Sequence, residues 1–239
     1  MASITDIKND ANKRIAVTLE TLYCDYNAVN IQLLAVALFS EDMSDQEKAV
    51  KAFAWVRDNI KFRLGFCNRK ASETLEELEG ADSNKANLLV ALLRSQRIPA
   101  GYGVREVLGK KYFGPGNTWW GQRLSRKTTR HVYACVKLGS RWFRVAPCDD
   151  AEISSMVSLF GRNEQNLSRA SNFPYQAIEW SAQSDALIRV RADHIVSDDF
   201  VQHSIEDVLV RPISPRLKPQ VFHIISCALR DLRKAKRRR

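Results

Sequence analysis

The feature that most constrains this chain is a helix whose start and body differ sharply. Residues 81–85, Ala-Asp-Ser-Asn-Lys, are mostly polar, and residues 86–94 continue as a strongly apolar helix. Ile98-Pro99-Ala100 then ends the helix, because proline lacks an N–H and clashes with the preceding turn, and extended chain begins. The free N–H groups of a helix start stabilise negative charge, which makes it a good seat for a nucleophile. Ser83 occupies that seat. A serine there is ordinarily only an N-cap, so its surroundings must decide its role.

Residues 101–107 read as a strand. Two more follow at 131–138 and 141–145, joined by Gly139-Ser140 as a two-residue hairpin turn. His131 opens the first of these, and Asp149 and Asp150 follow the second. Helix start, strand and strand end thus carry Ser, His and Asp in chain order. Acyl transfer needs such a set: a nucleophile, a base, and a group that orients the base.

Upstream, residues 3–59 read as helical. Ile31, Leu34, Ala35 and Leu38 follow helical spacing. A second helix is expected over 44–59, with Ser44 as N-cap, Glu47 completing a capping box, and Ala49, Phe53, Val56 and Ile60 as its apolar stripe. Residues 71–79 have helical character and end at Gly80, expected as the C′ residue. Residues 110–129 read as a long loop. Beyond Asp150 the expectation is a helix near 152–160, a polar loop over 161–174, short strands at 178–180 and 187–190, and a last helix over about 221–237.

Composition narrows the function. The chain has 239 residues, 45% hydrophobic, enough to bury a core. No apolar run approaches the ~20 residues a membrane span needs. Residues 1–13 carry no signal-peptide core, so a cytoplasmic location is expected. Cys24, Cys67, Cys135, Cys148 and Cys227 are odd in number and lack CxxC spacing, and read as reduced, buried small hydrophobes. His194, His203 and His223 lack metal-ligand spacing, and no phosphate-binding glycine motif is present, so neither metal nor cofactor is expected.

The net charge of +10 is unevenly placed: residues 105–144 hold ten basic residues against one acid, and residues 230–239 hold seven against one. Patterned charge of this kind implies an acidic partner. Nucleic acid is not the expected one, because no DNA-binding module accompanies the basic tail. Trp119-Trp120 reads as part of a loop lining a pocket rather than a base-stacking platform.

Four segments together resemble the transglutaminase-like superfamily, which has the papain-type thiol-enzyme fold. They are Ala54-Trp55-Val56-Arg57-Asp58-Asn59-Ile60-Lys61-Phe62 with Ala71-Ser72-Glu73-Thr74-Leu75; Gly80-Ala81-Asp82-Ser83 running into the apolar helix and Ile98-Pro99-Ala100; His131-Val132-Tyr133; and Trp142-Phe143-Arg144-Val145-Ala146-Pro147. The resemblance covers about residues 50–150. It implies an α+β fold in which a nucleophile helix packs on an antiparallel sheet, here with helical N- and C-terminal additions. It also implies a nucleophile at position 83, His131 as base, and an acid from the last strand.

Two departures stand out. The family's cysteine is Ser83, and the acid that often precedes the proline is Ala146. A bacterial branch whose proline segment resembles T-P-x-x-D/N would put Asp150 in register as the acid, with Asp149 its neighbour. Ser83 is then an authentic serine nucleophile, an engineered replacement of cysteine, or the mark of a non-catalytic relative.

The expectation is a single domain over 1–229 with its core at about 50–150, followed by the basic tail 230–239. Its catalytic set is Ser83, His131 and Asp150. What the resemblance implies is an acyltransferase of specialised-metabolite assembly. It would take an acyl group from a thioester, carried by an acidic acyl-carrier protein, and pass it to an amine or hydroxyl. A peptidase or amidase of the same fold, and a non-catalytic binder of acidic partners, are the alternatives.

Overall fold

The computed structural model describes residues 17–63, 69–108, 127–148, 179–187 and 192–209. Helices α1 (Val29–Leu38) and α2 (Asp45–Asn59) come first, followed by α3 (Ala71–Glu77) and α4 (Asp82–Ser95). Short strands β1 (Lys61–Phe62) and β2 (Glu79–Gly80) pair in parallel. The main sheet holds β3 (Ala100–Leu108), β4 (Thr128–Leu138), β5 (Arg141–Val145) and β6 (Ile195–Gln202) in the order β5-β4-β3-β6, each neighbour antiparallel. Helix α5 (Ile205–Leu209) follows β6. This is the expected α+β arrangement, with α4 packed on the sheet.

Local chemistry accounts for most of these elements. Ser44 caps α2: its Oγ accepts from Glu47 N–H, while the Glu47 carboxylate accepts from Ser44 N–H at 2.8 Å. Ala49, Phe53, Val56 and Ile60 are all buried, as the stripe requires. The hairpin between β4 and β5 turns on Gly139, whose φ of +60° is cheap only without a Cβ.

Helix α4 is the centre of the molecule, with every residue from Ser83 to Arg94 buried. Leu88, Leu89, Val90, Leu92 and Leu93 pack with Phe53 and Val56 of α2, Ile31 of α1, and the even-numbered β4 residues Val132, Ala134 and Val136. Each such leucine contributes roughly 1.5–3 kcal/mol by leaving water. Arg94 fixes the end of α4 through its whole guanidinium. Nε and Nη2 donate to Ala100 O at 3.0 and 2.9 Å, Nη1 to Leu19 O at 2.7 Å, and Nη2 to His203 O at 2.6 Å.

Several expectations are corrected. Residues 17–28 are turns and bends rather than helix. Their polar groups are committed elsewhere: Tyr23 O accepts from Ala71 N–H and Asn87 Nδ2, and the Asp25 carboxylate accepts from Ser72 N–H and Oγ–H. The left-handed residue after α3 is Leu78 (φ 52°), not Gly80. Gly80 instead makes room for Asn84, whose Cβ would lie 2.7 Å from an added methyl. Glu179 and Trp180 are not in a strand; Trp180 packs edge-on against Phe53 and Phe143, at 5.6 and 6.1 Å between ring centroids. Strand β6 was not expected at all. The elements expected over 152–160 and 221–237 lie outside the described residues.

Candidate active site

The start of α4 meets β4 at a buried histidine. Ala81 is the N-cap, and its N–H is satisfied by Asn84 Oδ1 at 3.0 Å. Asp82 follows in the first turn, where the partial positive charge of the helix end favours a carboxylate. Its Oδ1 accepts from Ser83 N–H at 2.8 Å. Its Oδ2 accepts from Val132 N–H at 3.2 Å and lies 3.1 Å from His131 Nδ1. A carboxylate only accepts, so Nδ1–H donates to it, and in the neutral imidazole Nε2 is then the acceptor nitrogen. His131 is 2% exposed, and Asp82 holds its ring in one orientation.

On the other side of the ring, Cys148 Sγ lies 3.9 Å from His131 Nε2. Cys148 follows the end of β5 by three residues and is itself buried. Its backbone is pinned by Lys85, a fully buried lysine one turn into α4, whose Nζ donates to Cys148 O at 3.1 Å and to Arg57 O at 3.0 Å. The thiol, the imidazole and the carboxylate thus lie in one line from strand end to helix start.

Ser83 is the second residue of α4, as expected, and is 1% exposed. Its Oγ has no hydrogen-bond partner among the described residues, so it is not hydrogen-bonded to either nitrogen of His131. Asp149 and Asp150 lie outside the described residues, as do Trp119 and Trp120. The structure therefore brings His131 together with Asp82 and Cys148, neither of which the sequence reading had placed in the site. One signal for Asp82 was available: an acid immediately before the presumed nucleophile, in the first turn of the same helix. For Cys148 the signal was a thiol directly after Pro147, at the end of the strand that follows His131.

Behind the site, on the same β4 face, a second polar cluster braces the sheet. Asp198 of β6 accepts from Arg105 Nη2 at 2.8 Å, from Arg144 Nη1 at 2.8 Å and from Tyr133 O–H at 2.5 Å. Burial raises the Asp198 pKa, but the hydrogen bonds from Tyr133 and Arg105 and the two guanidinium charges outweigh it and hold the carboxyl below its ordinary value. Burial, followed by that contact to Asp198, pushes the Tyr133 phenol well up, so it stays protonated. Two of the ten basic residues between 105 and 144 therefore have an internal counterion. Among the described residues no His, Cys, Asp and Glu cluster could hold a metal ion, and no helix is long and apolar enough to cross a membrane.

Residues 33–147 match the family model described as Transglutaminase-like superfamily. No curated protein matches the chain. Among solved structures it resembles a protein described as a "Putative Cysteine Protease" from Cytophaga hutchinsonii, at 20% identity and a TM-score of 0.42. That match covers 60% of this chain and 44% of the other, so this chain spans under half of that protein's length.

Proposed function

Residues 33–147 form a transglutaminase-like domain, and from that premise we propose that the protein is an acyl-transfer enzyme working through His131. The observation that carries the reading is the Asp82–His131 pair, 3.1 Å apart at the buried start of α4. A positioned imidazole with a carboxylate on one nitrogen takes a proton from a nucleophile and returns it to a leaving group.

The donor we propose is a thioester, presented by an acidic acyl-carrier protein, and the acceptor is an amine or hydroxyl of a specialised-metabolite intermediate. The surplus of basic residues over 105–144 supports an acidic carrier, although Arg105 and Arg144 are already paired with Asp198. Hydrolysis of an amide, with water as acceptor, uses the same pair.

The test is product analysis. The protein is incubated with acyl thioesters, free and carrier-bound, with and without a primary amine. Amide formation that disappears in His131→Ala supports the transferase. Free acid formed regardless of amine would make it a hydrolase. Turnover unchanged in His131→Ala would remove the proposal.

A further inference from the structure

Resting on the acyl-transfer reading, we infer that the nucleophile of this site is the Cys148 thiol. Relative to the family pattern, nucleophile and acid have exchanged places around His131: the acid sits at the helix start as Asp82, and the thiol at the strand end as Cys148.

Three observations converge. Asp82 occupies Nδ1, so the lone pair that must receive the nucleophile's proton is on Nε2, and the atom 3.9 Å from Nε2 is Cys148 Sγ. Ser83 Oγ, the expected nucleophile, makes no hydrogen bond, and its N–H is taken by Asp82. Lys85 Nζ donates to the carbonyl of Cys148 itself at 3.1 Å, which holds this residue's backbone in place beside His131.

The chemistry balances without a further reactant. His131 Nε2 takes the Cys148 S–H proton as sulfur bonds to the acyl carbon of the thioester. The tetrahedral intermediate breaks its bond to the donor's sulfur, which leaves with the proton from His131. Cys148 now carries the acyl group as a thioester. An amine or hydroxyl attacks it, gives its proton to Nε2, and the bond to Cys148 breaks as the thiol is re-protonated. A thiol suits this exchange because acyl transfer between thioesters is nearly balanced, whereas an alcohol depends wholly on its base. With Cys148 and His131 only 1% and 2% exposed, access of the acyl group to Sγ is the step most directly under test.

The experiment is intact-mass measurement and peptide mapping after acid quench of the full-length protein with a short-chain N-acetylcysteamine thioester. The expected result is a single acyl group on the Cys148 peptide, removed by neutral hydroxylamine as thioesters are. Cys148→Ser, which keeps the size, should form roughly 100-fold less adduct or none. In Ser83→Ala the adduct should still map to Cys148. An adduct on Ser83 that survives Cys148→Ser would overturn the inference while leaving acyl transfer standing. An adduct on no residue, with His131→Ala processing thioesters like the parent, would overturn both.

Discussion

Asp82 has two separable jobs, and Asp82→Asn separates them. As a first-turn acid it interacts with the helix end, worth about 0.3–1 kcal/mol. As an acceptor it holds Ser83 N–H and Val132 N–H at 2.8 and 3.2 Å. An asparagine has a single carbonyl: in the Oδ1 place it still accepts from Ser83 N–H at neutral strength, a loss of about 1 kcal/mol, while the amide NH2 in the Oδ2 place leaves Val132 N–H without its acceptor, a loss of about 1–3 kcal/mol. The expected loss of stability is therefore about 2–5 kcal/mol, read from the urea midpoint. The effect on His131 is larger in kind. An amide N–H facing Nδ1 reverses the tautomer and puts the proton on Nε2, where it can no longer accept from Cys148. Restricting a catalytic histidine to the wrong tautomer costs up to about 10⁴ in the best-studied triad.

The assay needs no knowledge of the substrate. Full-length protein is alkylated with iodoacetamide at pH 7, and the rate at Cys148 is followed by peptide mass. We expect Asp82→Asn to slow it about 100-fold or more, while Cys24, fully buried and with its thiol pKa pushed up chiefly by burial, stays unlabelled in the folded protein. If Asp82→Asn loses stability but alkylates Cys148 at the parental rate, Asp82 is a helix-start acid only and the relay from Asp82 through His131 to Cys148 is wrong.

Other substitutions probe the frame around the site. Arg94→Met keeps the stem but strands the carbonyls of Ala100, Leu19 and His203. It should cost about 3–5 kcal/mol by urea denaturation, and a change under 0.5 kcal/mol would show those contacts to be dispensable. The depressed folded pKa of Asp198 means its stabilisation is complete above the ordinary carboxyl pKa of about 4 and is lost as pH falls further. Asp198→Asn should therefore flatten the fall of the urea midpoint below pH 4, and a parental slope there would disprove the assignment. In Gly103→Ala the new methyl would lie 2.1 Å from the Tyr133 ring, so a loss of roughly 1–3 kcal/mol or more is expected from the same denaturation, and none if the strands separate freely.

Elements governed by local rules were legible in the sequence. The capping box at Ser44 and Glu47, the apolar run of α4 and the Gly139 turn each depend on neighbours within a few residues. What escaped depends on strand register. Asp82 meets His131 from 49 residues away, and Cys148 meets the same ring from the opposite side. No spacing rule encodes either distance. Strand β6 was hidden by its own acids, since aspartates are depleted in strands and Asp198 is neutralised only once Arg105 and Arg144 are placed across the sheet. Ser83, by contrast, was found at the helix start because its position is a local property, yet its hydroxyl's lack of a partner is not.

The lysine that pins Cys148 also orders events in time. Lys85 joins carbonyls 28 residues behind it and 63 residues ahead, at the ends of α2 and β5. Helix α4 can wind in under a microsecond from its own sequence, but these two closures are long loops that form only as the sheet assembles. The chain thus carries an internal clock: during refolding, far-ultraviolet helix signal should return well before Cys148 regains its native reactivity. The interval between the two measures how long the thiol exists without its histidine.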